Sequence, residues 1–228
     1  MKCLVSVVVA KPVLWLCLLF VTSCSYGINS EFIAVVKLGD VESAKRMLKR
    51  RFIHLESVDS EGNSPLLIAG EQHDWDMFEL LLAHGANINA LNARDRDLLN
   101  TAVKIQSPSL ALNAIRAGIH VNTFTPSYQG SALIYASAQG QVDIVNALIA
   151  AGAFIDRQNN LGWTALLEAV ILGDGSMPYQ AIVKALLQAG ANNAITDKFG
   201  YTALHHATRL GYEEISHLLI HCNASVCS

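Results

Sequence analysis

The chain has 228 residues, 52% hydrophobic and 15% charged, with 16 Lys and Arg against 19 Asp and Glu for a formal net charge of −3. That is enough apolar material for one domain with a sizeable core. It argues against nucleic acid as a partner, which calls for a basic face.

Lys2 and Lys11 lead into Pro12-Val13-Leu14-Trp15-Leu16-Cys17-Leu18-Leu19-Phe20-Val21, a short apolar core flanked by positive charge. Residues 1–23 read as a secretory signal peptide. A spanning helix needs about 20 uninterrupted apolar residues, and Lys11-Pro12 breaks the run. The end, Val21-Thr22-Ser23-Cys24, resembles a bacterial lipobox. That resemblance implies that Cys24 is lipidated and becomes the mature N-terminus, and that Ser25 goes with sorting to the outer membrane. The residues alone also fit a simple cleaved signal in which Cys24 is incidental. On the lipoprotein reading, residues 24–30 are a lipid-attached tether, and the mature protein stands in the periplasm close to the membrane.

Asn29-Ser30-Glu31 reads as a helix start, with a capping side chain and an acid in the first turn. Residues 31–58 then form a capping helical hairpin, Phe32 to Leu38 and Val41 to Arg50 around Gly39-Asp40. No turn signal precedes it, as expected of a terminal unit. Lys45-Arg46-Met47-Leu48-Lys49-Arg50-Arg51 concentrates positive charge there. It reads as the solvated face of a cap, or as a surface for anionic head groups or an acidic partner.

From residue 59 to 228 the chain repeats. Gly62-Asn63-Ser64-Pro65-Leu66-Leu67-Ile68-Ala69, Gly162-Trp163-Thr164-Ala165-Leu166-Leu167-Glu168-Ala169 and Gly200-Tyr201-Thr202-Ala203-Leu204-His205-His206-Ala207 are clear copies. Gln129 to Ala136 is a good copy, and Asp95 to Ala102 a degraded one. The closing alanines stand at 69, 102, 136, 169 and 207, in steps of 33, 34, 33 and 38, so the period is near 33. The glycine suits a turn with positive φ. The Ser or Thr two residues later caps a helix. Further on, Gly85-Ala86, Gly118-Ile119, Gly152-Ala153 and Gly190-Ala191 mark the ends of second helices. Each unit is therefore turn, helix, loop, helix, and the units begin near Asp59, Asn92, Ser127, Asn159 and Asp197.

These units resemble ankyrin repeats. The Thr-Pro-Leu-His signature of that family is matched by Ser64-Pro65-Leu66-Leu67 and Thr202-Ala203-Leu204-His205, and its Gly-Ala-Asp-Val-Asn ending by Gly85-Ala86-Asn87-Ile88-Asn89 and Gly152-Ala153-Phe154-Ile155-Asp156. The resemblance implies an all-α repeat solenoid: an ankyrin stack of helix-turn-helix units with hairpin-like tips, a capping hairpin plus about five repeats. It also implies that His205 hydrogen-bonds within and between repeats, and His206 is expected to pack in the same way.

Two units depart from the pattern. The second has Asp95 in place of the glycine and Gln106-Ser107-Pro108-Ser109 between its helices, so its helices should be less ideal. The fourth carries an insertion over residues 173–179, expected as a surface loop. Once Cys3 and Cys17 leave with the signal and Cys24 takes lipid, Cys222 and Cys227 remain, and an oxidising periplasm favours a disulfide between them.

The resemblance places partner binding on the tips and inner helices. Those positions hold Phe124, Tyr128, Leu161, Trp163, Ile171, Leu172, Phe199, Tyr201 and Arg209 in the later units, whereas the first two tips carry Ser60, Glu61, Asn63, Arg94 and Arg96. Exposed aromatics and Arg dominate interface energetics.

The expected function is a membrane-anchored periplasmic protein-binding module. Within the resemblance it is most concretely an immunity protein that inhibits a toxic antibacterial effector, such as a lipase delivered by type VI secretion. The alternative is a scaffold for a resident periplasmic enzyme, for example in oxidative-stress defence. A third reading, a hydrolase or metal site, rests on the pair His217 and His221, which share a helix face. The sequence holds no Gly-x-Ser-x-Gly, no phosphate loop and no acid–base carboxylate pair. No enzymatic activity, cofactor or metal is expected.

Overall fold

The small residue that closes each repeat motif explains how the units stack. Ala69, Ala102, Ala136, Ala169 and Ala207 are all completely buried, because a larger side chain would hold neighbouring helices apart. A computed structural model describes residues 27–50, 52–124 and 129–222. The expected signal peptide, Cys24, Ser25, Arg51, Tyr128 and Cys227 lie outside the described residues.

Among the described residues there are twelve helices. A first hairpin pairs α1, over residues 27–37, with α2, Val41–Leu48. Five pairs follow: α3 (Pro65–Glu71) with α4 (Trp75–Ala83), α5 (Leu98–Lys104) with α6 (Pro108–Arg116), α7 (Ala132–Ala138) with α8 (Val142–Ala150), α9 (Ala165–Ile171) with α10 (Met177–Gln188), and α11 (Ala203–Leu210) with α12 (Glu213–His221). The architecture is the expected all-α repeat solenoid. No described helix is long and apolar enough to cross a membrane.

The first helix of each pair is sandwiched between neighbours. In α3, Pro65, Leu66, Leu67, Ile68, Ala69 and Gly70 are all buried. A Cβ at Gly70 would come within 2.8 Å of a Leu110 methyl and 3.1 Å of a Leu98 methyl, so a larger residue would make both side chains shift. These inner helices begin as their sequences dictate. Ser64, Asp97, Ser131, Thr164 and Thr202 each accept the N–H three residues on with a side-chain oxygen, satisfying one of the donors a helix start leaves open.

Each repeat tip turns through a left-handed residue. Gly62 has φ +80°, and a Cβ there would fall 2.3 Å from the Ala93 methyl. Asp95 and Gln129 take the same conformation without being glycine, at φ 55° and 53°.

Two ladders of long-range hydrogen bonds join neighbouring units. On the loop side, Asn29 Oδ1 accepts the His54 N–H (3.0 Å), Glu56 Oε1 that of Asn87 (2.8 Å), and Asn89 Oδ1 that of His120 (2.7 Å). Asn122 Oδ1 accepts the Phe154 N–H (2.7 Å), and Asp156 Oδ1 that of Asn192 (3.0 Å). On the inter-helix side, Gln72 Nε2 donates to the Lys37 carbonyl (3.0 Å) and Gln141 Nε2 to that of Val103 (2.8 Å). His73 Nε2 and Ser107 Oγ are hydrogen-bonded at 2.8 Å. The Tyr179 hydroxyl donates to the Ala138 carbonyl (3.2 Å), and that of Tyr212 to Gly173 (2.8 Å).

Four expectations are corrected. The helix expected to start at Asn29-Ser30-Glu31 is already formed at residue 27, so the tether drawn over residues 24–30 overlaps α1, and Asn29 serves the ladder instead of a cap. The second unit is as regular as the others. α5 and α6 have 7 and 9 residues, the lengths of α3 and α4, and Ser107 caps α6 with Pro108 in its first turn. The insertion is not simply a loop, because Met177, Pro178 and Tyr179 form the first turn of α10, which reaches 12 residues. Proline favours that position, and Tyr179 packs on Gly140 and Gly173.

The fourth correction concerns the two histidines. The structural histidine is His206, which is buried with Nε2 2.9 Å from Asp197 Oδ2. His205 is exposed and stacks on Tyr201 at 4.5 Å. One residue along a helix rotates a side chain by roughly 100°, so only one of the pair can point back at the turn that starts the unit.

Candidate binding face

The tips are preorganised by a repeated carboxylate or amide. In the first, second, fourth and fifth repeats, Asp59, Asn92, Asn159 and Asp197 each accept two backbone N–H groups with Oδ1, from the residues two and four positions on. Side-chain bonds of this kind fold a turn without help from a sheet. The residues two positions on, Leu161 and Phe199 among them, therefore project from a fixed turn.

Burial of Asp197 would raise its carboxyl pKa, but the Tyr201 N–H, His206 and the Phe199 N–H hold it below the usual carboxylate range. Asp59 behaves alike. Burial raises it, and the Lys37 ammonium at 2.7 Å and the N–H groups of Asn63 and Glu61 bring it below its ordinary value.

The residues expected to meet a partner divide into three groups. Phe199 is 81% exposed, and Leu161, Leu172, Tyr201 and Phe124 are each at least 40% exposed. Phe124 carries the Arg157 guanidinium 4.2 Å above its ring, and Arg209 is exposed, 3.4 Å from His206 Nδ1. Trp163 and Ile171 are half-buried and packed against the core, so much of their apolar surface is already used. Tyr128 belongs to the residues not described. His205 and Arg209 line one shallow depression of about 410 Å³.

Sequence reasoning left a second feature unexploited. Arg94, Arg96, Asn100, Lys104, Tyr135 and Gln139 line a depression of about 360 Å³ between α5 and α7. Arg94 and Arg96 read from sequence as polar tip residues, and Lys104 lies on α5 two turns beyond, where only the helical register connects them. Glu71 stands close by on α3; burial pushes its carboxyl up, while Lys104 pulls the other way.

His217 and His221 are exposed on α12 with ring centroids 4.5 Å apart. Among the described residues no three His, Cys, Asp or Glu side chains gather as a metal site requires. Cys222 caps the C-terminal end of α12.

Comparison with known proteins decides the lineage. A family described as ankyrin repeats (3 copies) matches residues 99–197 and 133–228, and a single ankyrin repeat matches residues 61–93. The ankyrin repeat protein YahD of Escherichia coli (strain K12) is 32% identical over 202 residues, 87% of this chain and 98% of that protein. The chain belongs to the ankyrin repeat family.

Solved ankyrin structures agree with the fold. A domain from Acinetobacter baumannii AYE superposes with a TM-score of 0.77 at 35% identity, over 83% of this chain and 96% of that one. A chain in the solved structure of the Bd0816 predatory endopeptidase from Bdellovibrio bacteriovorus in complex with immunity protein Bd3460 matches with a TM-score of 0.66 at 23% identity, over 83% of this chain and 96% of that one. That last likeness is one of fold alone. Ankyrin repeats are protein-binding modules, and the preformed tips and inner helices described above are the surface such a module offers.

Proposed function

We propose that this ankyrin protein is a periplasmic immunity protein, anchored to the outer membrane through lipidated Cys24, that binds and inhibits a toxic antibacterial effector. The observation that carries the reading is the cluster of exposed apolar groups on hydrogen-bonded tips, with Phe199 81% exposed. A large apolar group held outward on a rigid turn is costly in water unless a partner covers it. The complex of an endopeptidase with its immunity protein, built on a similar fold, supports the choice of partner. Inhibition of this kind needs occlusion only, so the protein acts without catalysis, cofactor or metal. An oxidising compartment also suits a Cys222–Cys227 disulfide at the end of the last helix.

The test pairs the protein with the product of the adjacent gene, expressed in the periplasm. The expected result is stoichiometric capture, protection of cells from that product, and loss of both in a Phe199→Ser, Tyr201→Ser variant. Deletion mutants that remain fully resistant to attack by sister cells would overturn the immunity reading. If deletion instead lowers a resident enzyme's activity, the scaffold reading replaces it.

A further inference from the structure

The depression between α5 and α7 differs in chemistry from the apolar tips. Arg94 and Arg96 come from the second tip, Lys104 from the end of α5, and Tyr135 and Gln139 from α7. Arg94 meets Glu61 at 3.5 Å, but both side chains are more than half exposed, and an ion pair of that kind is weak and easily exchanged. Among the described residues Arg96 and Lys104 have no ion-pair partner. Glu71 faces Lys104 from α3, and burial works against its charge. Asn100 is buried beneath the same wall.

A guest that suits these groups brings a carboxylate to three cations. A peptide segment with an acidic side chain carries one. The half-buried Tyr135 ring and Val103 supply an apolar wall for its backbone, which a free inorganic anion would not use. We propose that this depression seats an Asp or Glu side chain from an extended segment of the partner protein. The cations supply orientation and charge selection, and the apolar tips supply area. This deepens the binding reading above and rests on it.

The experiment titrates the full chain with acetyl-Gly-Asp-Glu-Gly-amide, with its Asn-Gln counterpart and with inorganic phosphate, following backbone amide NMR shifts. The acidic peptide should move the signals of Asn100, Lys104 and Tyr135. It should bind at least tenfold more tightly than the amide counterpart, and lose that advantage near 1 M salt, where screening acts within about 3 Å. An Arg96→Glu, Lys104→Glu variant should weaken it at least tenfold. Lys104→Glu alone, at an exposed position, guards against misfolding and should give part of the loss. Equal binding of the two peptides, equal binding of phosphate, or indifference to both variants would overturn the proposal. The two readings fail separately. A partner captured by the charge-reversed protein but lost by the Phe199→Ser, Tyr201→Ser variant keeps the tip face and removes the carboxylate anchor.

Discussion

His206 Nε2 lies 2.9 Å from Asp197 Oδ2, with the two side chains only 7% and 2% exposed. The same Asp197 folds the last tip by accepting the N–H groups of Phe199 and Tyr201 through its other oxygen. One carboxylate thus joins the inner helix of the last repeat to the tip that displays Phe199, the most exposed aromatic among the described residues.

His206→Ala should therefore loosen the tip as well as the helix. Removing one partner of a buried hydrogen bond costs roughly 1–3 kcal/mol, and urea unfolding should show that loss. Asp197 has a lowered pKa in the folded state, so its contribution is complete above its ordinary value of 3.8 and disappears as pH falls through the lower folded value. Asp197→Asn should flatten the acid limb of the stability curve. An unchanged limb would show that other carboxylates control it.

Glu71 titrates in the opposite sense. Burial raises its pKa above 4.5 in the folded state, so the protonated form favours folding and that contribution is lost as pH rises through the folded value. Glu71→Gln keeps the side chain neutral and should stabilise the protein at pH 7 by roughly 0.5 kcal/mol, the scale of a partly exposed site. Thermal melts at pH 7 and pH 4 check this, and the gain should shrink at the lower pH.

Asn122 makes two contacts across one joint, accepting the Phe154 N–H and donating to the Gly152 carbonyl at 3.2 Å. Asn122→Ala should cost about 1–2 kcal/mol, the sum expected of two such bonds. Hydrogen exchange should place the new opening at Phe154 rather than throughout the chain.

In the inserted segment, a Cβ at Gly173 would fall 2.2 Å from the Ala169 carbonyl oxygen and 2.6 Å from the Tyr179 ring. Gly173→Ala should lower stability by about 1–3 kcal/mol, as overpacking does, and by more than Tyr179→Phe, which removes one hydrogen bond. The order of the two melting temperatures decides the matter.

Phe199 and Trp163 separate binding from folding. Phe199→Ala should leave stability within about 0.5 kcal/mol of the parent and weaken the partner complex by about 2 kcal/mol or more. Trp163, half-buried against the core, should lose stability as well when truncated. Parallel calorimetry and binding titrations measure both, and a destabilised Phe199→Ala protein would contradict the exposed position.

The repeat frame was legible because its signals are local. A turn residue, a cap and a buried alanine each sit a few positions apart, and five copies reinforce one another. Even the degraded tip at Asp95 keeps its left-handed turn, since Asp tolerates that conformation nearly as Asn does. The ladders were not legible. Asn89 and Asn122 look like ordinary loop polar residues, and Asn29 like a helix cap, until the segments that donate to them are placed alongside. The expectation for His205 failed for a related reason, because family position favoured it while the Asp197 carboxylate selects His206, whose buried role was expected. Arg94, Arg96 and Lys104 were visible singly, but their gathering depends on the packing of α5 beside α7.

In the loop-side ladder each acceptor is a side chain and each donor a main-chain N–H, from the next unit in every rung but the first, which joins α1 to the end of its own capping unit. Any residue but proline can supply that donor, so only one half of each joint is written in a particular amino acid. A unit copied whole by gene duplication would carry an acceptor for its successor and a ready donor for its predecessor. At these loop-side rungs a gained or lost repeat thus calls for no compensating change in the donor residue, whereas the His73–Ser107 pair on the other side requires both partners.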